Sequence, residues 1–132
     1  MDKKNYVFGK ISEKNGTAIY YTNPKKAKVN KNTGSIIEHY TTALSVIGER
    51  KWQWIFDGEG FDISYVLNSQ TGTRIANCLT GTSADNLQEI KIINPTWHIK
   101  TIINALWPFL TSNIKQKIKY LDNRVYSVLE FI

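Results

Sequence analysis

One cysteine, three prolines, two histidines and a single methionine are scattered through 132 residues, and each scarcity removes a class of protein. With only Cys78 there is no internal disulfide framework. Its flanks, Arg-Ile-Ala-Asn before and Leu-Thr-Gly after, hold no base to lower a thiol pKa. A small core thiol in a reducing compartment is expected, not a nucleophile. No window approaches the ~20 apolar residues of a membrane-spanning helix. The basic start, MDKKNYVFGK, is followed by no apolar signal-peptide core. The expectation is a cytoplasmic protein, at most peripheral to a membrane. His39 and His98 have no cysteine or histidine at metal spacing, so no metal site is expected. Glycine-rich phosphate loops, Gly-x-Ser-x-Gly elbows and Cys-x-x-Cys pairs are all missing. The acidic stretch from Asp57 to Asp62 is not a calcium loop, because Asp62 stands where glycine is needed and Asn68 where the last glutamate is needed. Its close carboxyls read as turn chemistry rather than an acid–base pair. No catalytic residue and no cofactor is expected, and the chain reads as a non-enzyme.

What is present is apolar and basic. A chain of this length forms one domain and buries roughly two-thirds of its unfolded surface. Seventeen basic residues against eleven acidic ones give a net charge of +6. Residues 1–31 hold eight lysines against Asp2 and Glu13, so the whole excess is N-terminal. Such a patch suits anionic lipid head groups, at about 1 kcal/mol per lysine, or simply keeps the surface solvated. Nucleic acid is disfavoured: Tyr20 and Tyr21 lie near lysines 25, 26 and 28, but alternating strand aromatics belong to a core more often than to a base-stacking platform.

Along the chain, Asn15-Gly16 between two alternating runs predicts a hairpin with strands at 6–11 and 17–22. A polar loop follows, PKKAKVNKNTG. Ile36, Ile37, Tyr40, Ala43, Leu44 and Ile47 recur at helical spacing up to Gly48. Trp52, Trp54 and Phe56 alternate as a strand. FDISYVLNSQ is ambiguous, TGTRIANCLTG predicts a short helix closed by Gly81, and Ser83 is a candidate cap leading to a strand at 89–93. A helix over 96–107 stops or kinks at Pro108. TSNIKQ gives a short turn or helix, KIKYL a strand, and NRVYSVLEFI a final helix capped at Asn123. Strands separated by helices imply an α/β fold.

The stretch from Ile93 to Leu110, INPTWHIKTIINALWPFL, is the least ordinary. It carries Trp97, Ile99, Ile102, Ile103, Leu106, Trp107, Phe109 and Leu110, which is more apolar than one stripe requires. Either the helix is sunk in a core or it lines something.

WQWIFDGEGFDIS, then LQEIKIINPTWHIKTIINALWPFLTSNIKQKIKYL, then a short terminal helix, together resemble the CRAL-TRIO family of lipid-exchange domains. The family's Asp-x-x-Gly after a core strand is matched by Asp57-Gly58-Glu59-Gly60. Its strand-ending Asn-x-Pro or His-Pro is matched by Asn94-Pro95, its Pro-Phe pair by Pro108-Phe109, and its lysine before the last core strand by Lys117. The similarity covers about residues 16–132 and is specific from 88 to 121. Within the family PTWHIKT looks most like the BCH subgroup, known as protein-interaction scaffolds, some of which engage small GTPases and their regulators. The preceding helical domain and closing segment of such proteins lie outside these 132 residues, so a short single-domain version over 1–132 is implied.

The resemblance implies a mixed, mainly parallel sheet of about five strands flanked by helices. It also implies non-catalytic binding of a hydrophobic or lipid ligand, at an anionic membrane surface or free of one. The rival it implies is a BCH-like scaffold, holding a second copy of itself or a protein partner. In lipid-carrying relatives the helix after the proline is a gate. Its counterparts here are Ile99, Ile102, Ile103, Leu106 and Trp107, with Trp54, Phe56 and Phe61 completing the ligand site. Lys117 corresponds to a lysine that contacts an inositol phosphate in some members, although Ile114 replaces the threonine that assists it. Lys25, Lys26 and Lys28 are the candidate anionic-surface contacts.

Overall fold

The computed structural model describes residues 3–27, 33–61, 69–121 and 124–132. A short helix α1 (Lys3–Phe8) leads into the hairpin β1 (Gly9–Lys14) and β2 (Thr17–Thr22). Helices α2 (Pro24–Ala27) and α3 (Thr33–Ile47) precede β3 (Trp52–Asp57). Helices α4 (Ser69–Cys78) and α5 (Gly81–Asn86) precede β4 (Leu87–Ile93). Helix α6 (Trp97–Leu106), a 3-10 turn at Trp107–Phe109 and α7 (Ser112–Lys115) lead to β5 (Ile118–Tyr120), and a 3-10 turn at Val128–Phe131 follows.

The five strands lie in sequential order, β1 antiparallel to β2 and every later pair parallel. This is the expected mixed, mainly parallel sheet. Asn15 and Gly16 take φ of 53° and 78°, the two left-handed positions of a type I′ turn, so the tight hairpin forms where the sequence places it. Parallel strands in unbroken order, joined by crossovers of the usual hand, send every connection over the same face. The packing agrees: α3, α4, α5 and α6 all contribute to the cluster over the front face, which presents Tyr20, Trp52, Trp54, Ile90 and Ile92. The back face buries Ile19, Tyr21, Ile55 and Ile93 under Tyr6 and the C-terminal Tyr126, Val128 and Phe131.

Several local expectations are corrected. The first strand begins at Gly9 because residues 3–8 are helical. Carbonyls that a ladder would use are taken elsewhere, Tyr6 O by the Asn23 amide at 2.7 Å and Val7 O by the hydroxyls of Thr22 and Tyr40. The loop after β2 contains the turn of helix α2, whose Lys26 amide donates to Asn23 Oδ1 at 3.1 Å. Gly81 opens α5 rather than closing α4, and Thr80 rather than Ser83 sits at that helix's cap position. The last segment is only a one-turn 3-10 helix, Val128–Phe131, shorter than expected; Ser127 caps it and forms a reciprocal pair with Glu130. Asn123, Asp62, Asn68 and Lys28 lie outside the described residues.

Candidate functional site

Two joints hold α6 over the sheet. At the carboxyl ends of the strands, Asp57 is 2% exposed. It accepts from the Tyr21 hydroxyl at 2.5 Å, the Glu59 amide at 3.0 Å and Asn94 Nδ2 at 3.2 Å. Burial, and then the bond to Asp57, push the Tyr21 phenol far above its ordinary value, so it stays a donor. Gly58 suits this close approach: a Cβ would stand 3.1 Å from Asn94 O and 3.2 Å from Pro95 Cα, and the Asn94-Pro95 backbone would have to give by a few tenths of an ångström. Asp57-Gly58 and Asn94-Pro95, apart in sequence, thus meet at one joint. Asn94, at φ 49°, also clamps the C-terminal segment, donating to Tyr126 O at 2.9 Å and accepting from its amide at 2.8 Å. Thr96 caps α6 and donates to Phe61 O at 2.7 Å. At the other end, Pro108 lies within the 3-10 turn that ends the helix.

Between these joints lies a cavity of about 170 Å³, floored by the front of β3, β4 and β5 and roofed by α3, α4 and α6. Trp54, Phe56, Phe61, Ile99, Ile102, Ile103 and Leu106 all line it. Ile99 and Ile102 are buried, whereas Lys100, Thr101, Asn104 and Ala105 face solvent. Apart from the exposed Trp97 in its first turn, the helix is therefore apolar on one side, and its sheet-facing stripe is the side that borders the void. The i, i+3, i+4 spacing of that stripe explains why the sequence disclosed it.

The remaining candidates are dispersed. Trp107 does not line the cavity; it is 40% exposed with Lys115 Nζ 5.7 Å from its ring centre, because the chain leaves α-helical geometry there and Leu110 faces the void instead. Lys117 donates to the Ala84 carbonyl at 2.5 Å near the amino ends of the strands, and desolvation lowers its pKa. Lys25 and Lys26 are exposed at the opposite, carboxyl end, with Lys25 lying across Gly60. That end also carries Trp97, 67% exposed. The histidines have local uses: His39 Nε2 bonds Phe8 O at 2.8 Å, and His98 stacks on Trp97. Half-buried Cys78 has its sulfur 3.9 Å from the Thr41 hydroxyl.

Sequence reasoning missed a polar cluster on the cavity wall. Trp54 Nε1 donates to Thr22 Oγ1 at 2.8 Å, and the hydroxyls of Thr22 and Tyr40 donate to Val7 O at 2.8 and 2.9 Å. Its only signal was a threonine closing an otherwise apolar strand. Among the described residues no buried side-chain polar atom lacks a partner, and no helix is long and apolar enough to cross a membrane.

No curated protein matches the sequence. Residues 1–132 match the CRAL/TRIO domain, and the chain belongs to that family.

Proposed function

We propose that the protein is a non-catalytic carrier or sensor that encloses a hydrophobic or lipid ligand between its sheet and α6. The observation that carries this is the apolar void itself, lined by seven of the eight side chains expected to bind ligand. Such a void leaves its walls without contacts on one side, and a guest restores them. Native mass spectrometry with solvent extraction of the purified protein tests the reading. A co-purifying hydrophobic molecule near one per chain supports it; an empty monomer that takes up no added hydrophobe sinks it. Ile103→Asp, which sets a charge against the void, should abolish uptake while far-UV circular dichroism is retained.

We further propose that the carboxyl end faces anionic membrane, because Trp97 and the exposed Lys25 and Lys26 share that end. Reversing Lys25, Lys26 and Lys28 to glutamate should weaken binding to phosphatidylserine vesicles, and unchanged binding would retire the idea. A second reading, the BCH-like scaffold, is favoured by exposed Val125, Leu129 and Ile132 on the C-terminal segment. A ligand-free dimer in the same mass spectra, or capture of a small GTPase, would support that reading over the carrier.

A further inference from the structure

The chemistry of the guest can be narrowed from the hydrogen bonds of the cavity wall, an inference that rests on the binding reading above. Among the described residues, three polar side chains touch the void, those of Thr22, Tyr40 and Trp54. All three of their protons are already committed: Trp54 Nε1 gives its own to Thr22 Oγ1, and both hydroxyls give theirs to Val7 O. The nearest polar neighbour of the Tyr40 oxygen besides Val7 O is Thr22 Oγ1 at 3.2 Å, whose proton is directed to Val7. Tyr40 therefore keeps acceptor capacity, and the described wall has no side-chain donor to spare.

Among the described residues no cation makes up for this. Neither Lys25 nor Lys117 lines the cavity, and Lys117 is held by Ala84 O. A carboxylate, phosphate or carbonyl entering the void would give up water and find nothing to donate to it, whereas a hydroxyl could donate to Tyr40. Size restricts the guest further. At about 170 Å³ the space is close to an engineered cavity of about 150 Å³ that holds one benzene. The flat faces of Trp54, Phe56 and Phe61 suit rings.

We infer that the cavity selects a compact neutral hydrophobe of one or two rings, accepts a hydroxyl on it, and refuses carboxylates and phosphate head groups. The test is a binding series on the full chain with naphthalene, 2-naphthol, 2-naphthoate and phosphatidylcholine vesicles, read by calorimetry and tryptophan fluorescence. Naphthalene and 2-naphthol should bind within about tenfold of each other, and 2-naphthoate about a hundredfold more weakly than either. In Tyr40→Phe, which removes the spare acceptor and leaves Thr22 on Val7 O, 2-naphthol should lose about tenfold relative to naphthalene. Tighter capture of 2-naphthoate or phosphatidylcholine than of naphthalene, or a phospholipid in the solvent extract, overturns this inference and leaves the binding reading standing. Failure of all four probes, with an extract free of any hydrophobe, overturns both. An unchanged ratio in Tyr40→Phe overturns the role given to the hydroxyl.

Discussion

One face of one sheet is solid at one end and hollow at the other. Over β2 and the start of β3 the space is filled by rings. Phe8 stacks on Tyr20 and Tyr40 at 4.8 and 4.7 Å between centroids and meets the edges of Trp52 and Trp54 at 5.7 and 5.4 Å. Over the end of β3, β4 and β5, the aliphatic residues of α4 and α6 arch across the void. Both regions obey the same period-two and period-3.6 patterns, so hydrophobic patterning alone does not separate a packed core from a binding cavity. What differs is how the volume is filled: planar rings from three elements and a helix end interlock in the first region, whereas branched chains facing a broad sheet leave a gap in the second.

The difference can be attacked by substitution. Phe8→Ala removes the ring on which four others rest and should cost about 3–5 kcal/mol in urea unfolding; a loss below about 1 kcal/mol would mean the stack is not the anchor. A matched pair is sharper. Ala18 is buried beside Trp52 in the register and packs in the front-face core, whereas Ala76 lies on the cavity wall. Ala18→Leu should destabilise by about 1–3 kcal/mol through overpacking. Ala76→Leu should be neutral or stabilising by up to about 1 kcal/mol, because it fills space with a good helix former, and should block hydrophobe uptake. Equal penalties in the two variants would erase the contrast.

The framework was largely legible from residues alone, because hairpin, α3, β3 and α6 depend on neighbours in sequence: Asn15-Gly16, the three- and four-residue spacing of Ile36 to Ile47, the alternation of Trp52, Trp54 and Phe56, and the stripe Ile99, Ile102, Ile103 and Leu106. What escaped depends on partners far along the chain. Residues 6–8 alternate like a strand, yet Asn23, Thr22 and Tyr40 claim their carbonyls and leave a helix. Trp107 continues the apolar run, but the change to 3-10 geometry turns it away from the void. Lys117 matches a family position in sequence, and the fold brings near it a partner the sequence does not show, the Ala84 carbonyl to which its ammonium donates. The smallest effect follows from that contact. Lys117→Met should cost about 1 kcal/mol or less, by loss of one half-exposed bond, and should leave hydrophobe binding intact; a large loss of binding would place Lys117 in the ligand site.

The central claim, that the hollow half holds an apolar guest space, is tested most directly by crystallography under xenon pressure. The account predicts a xenon atom beneath α6, against Phe56, Ile99, Ile103 and Leu106, and none within the Phe8 ring cluster. Xenon absent from beneath α6, or lodged among the rings instead, would contradict it.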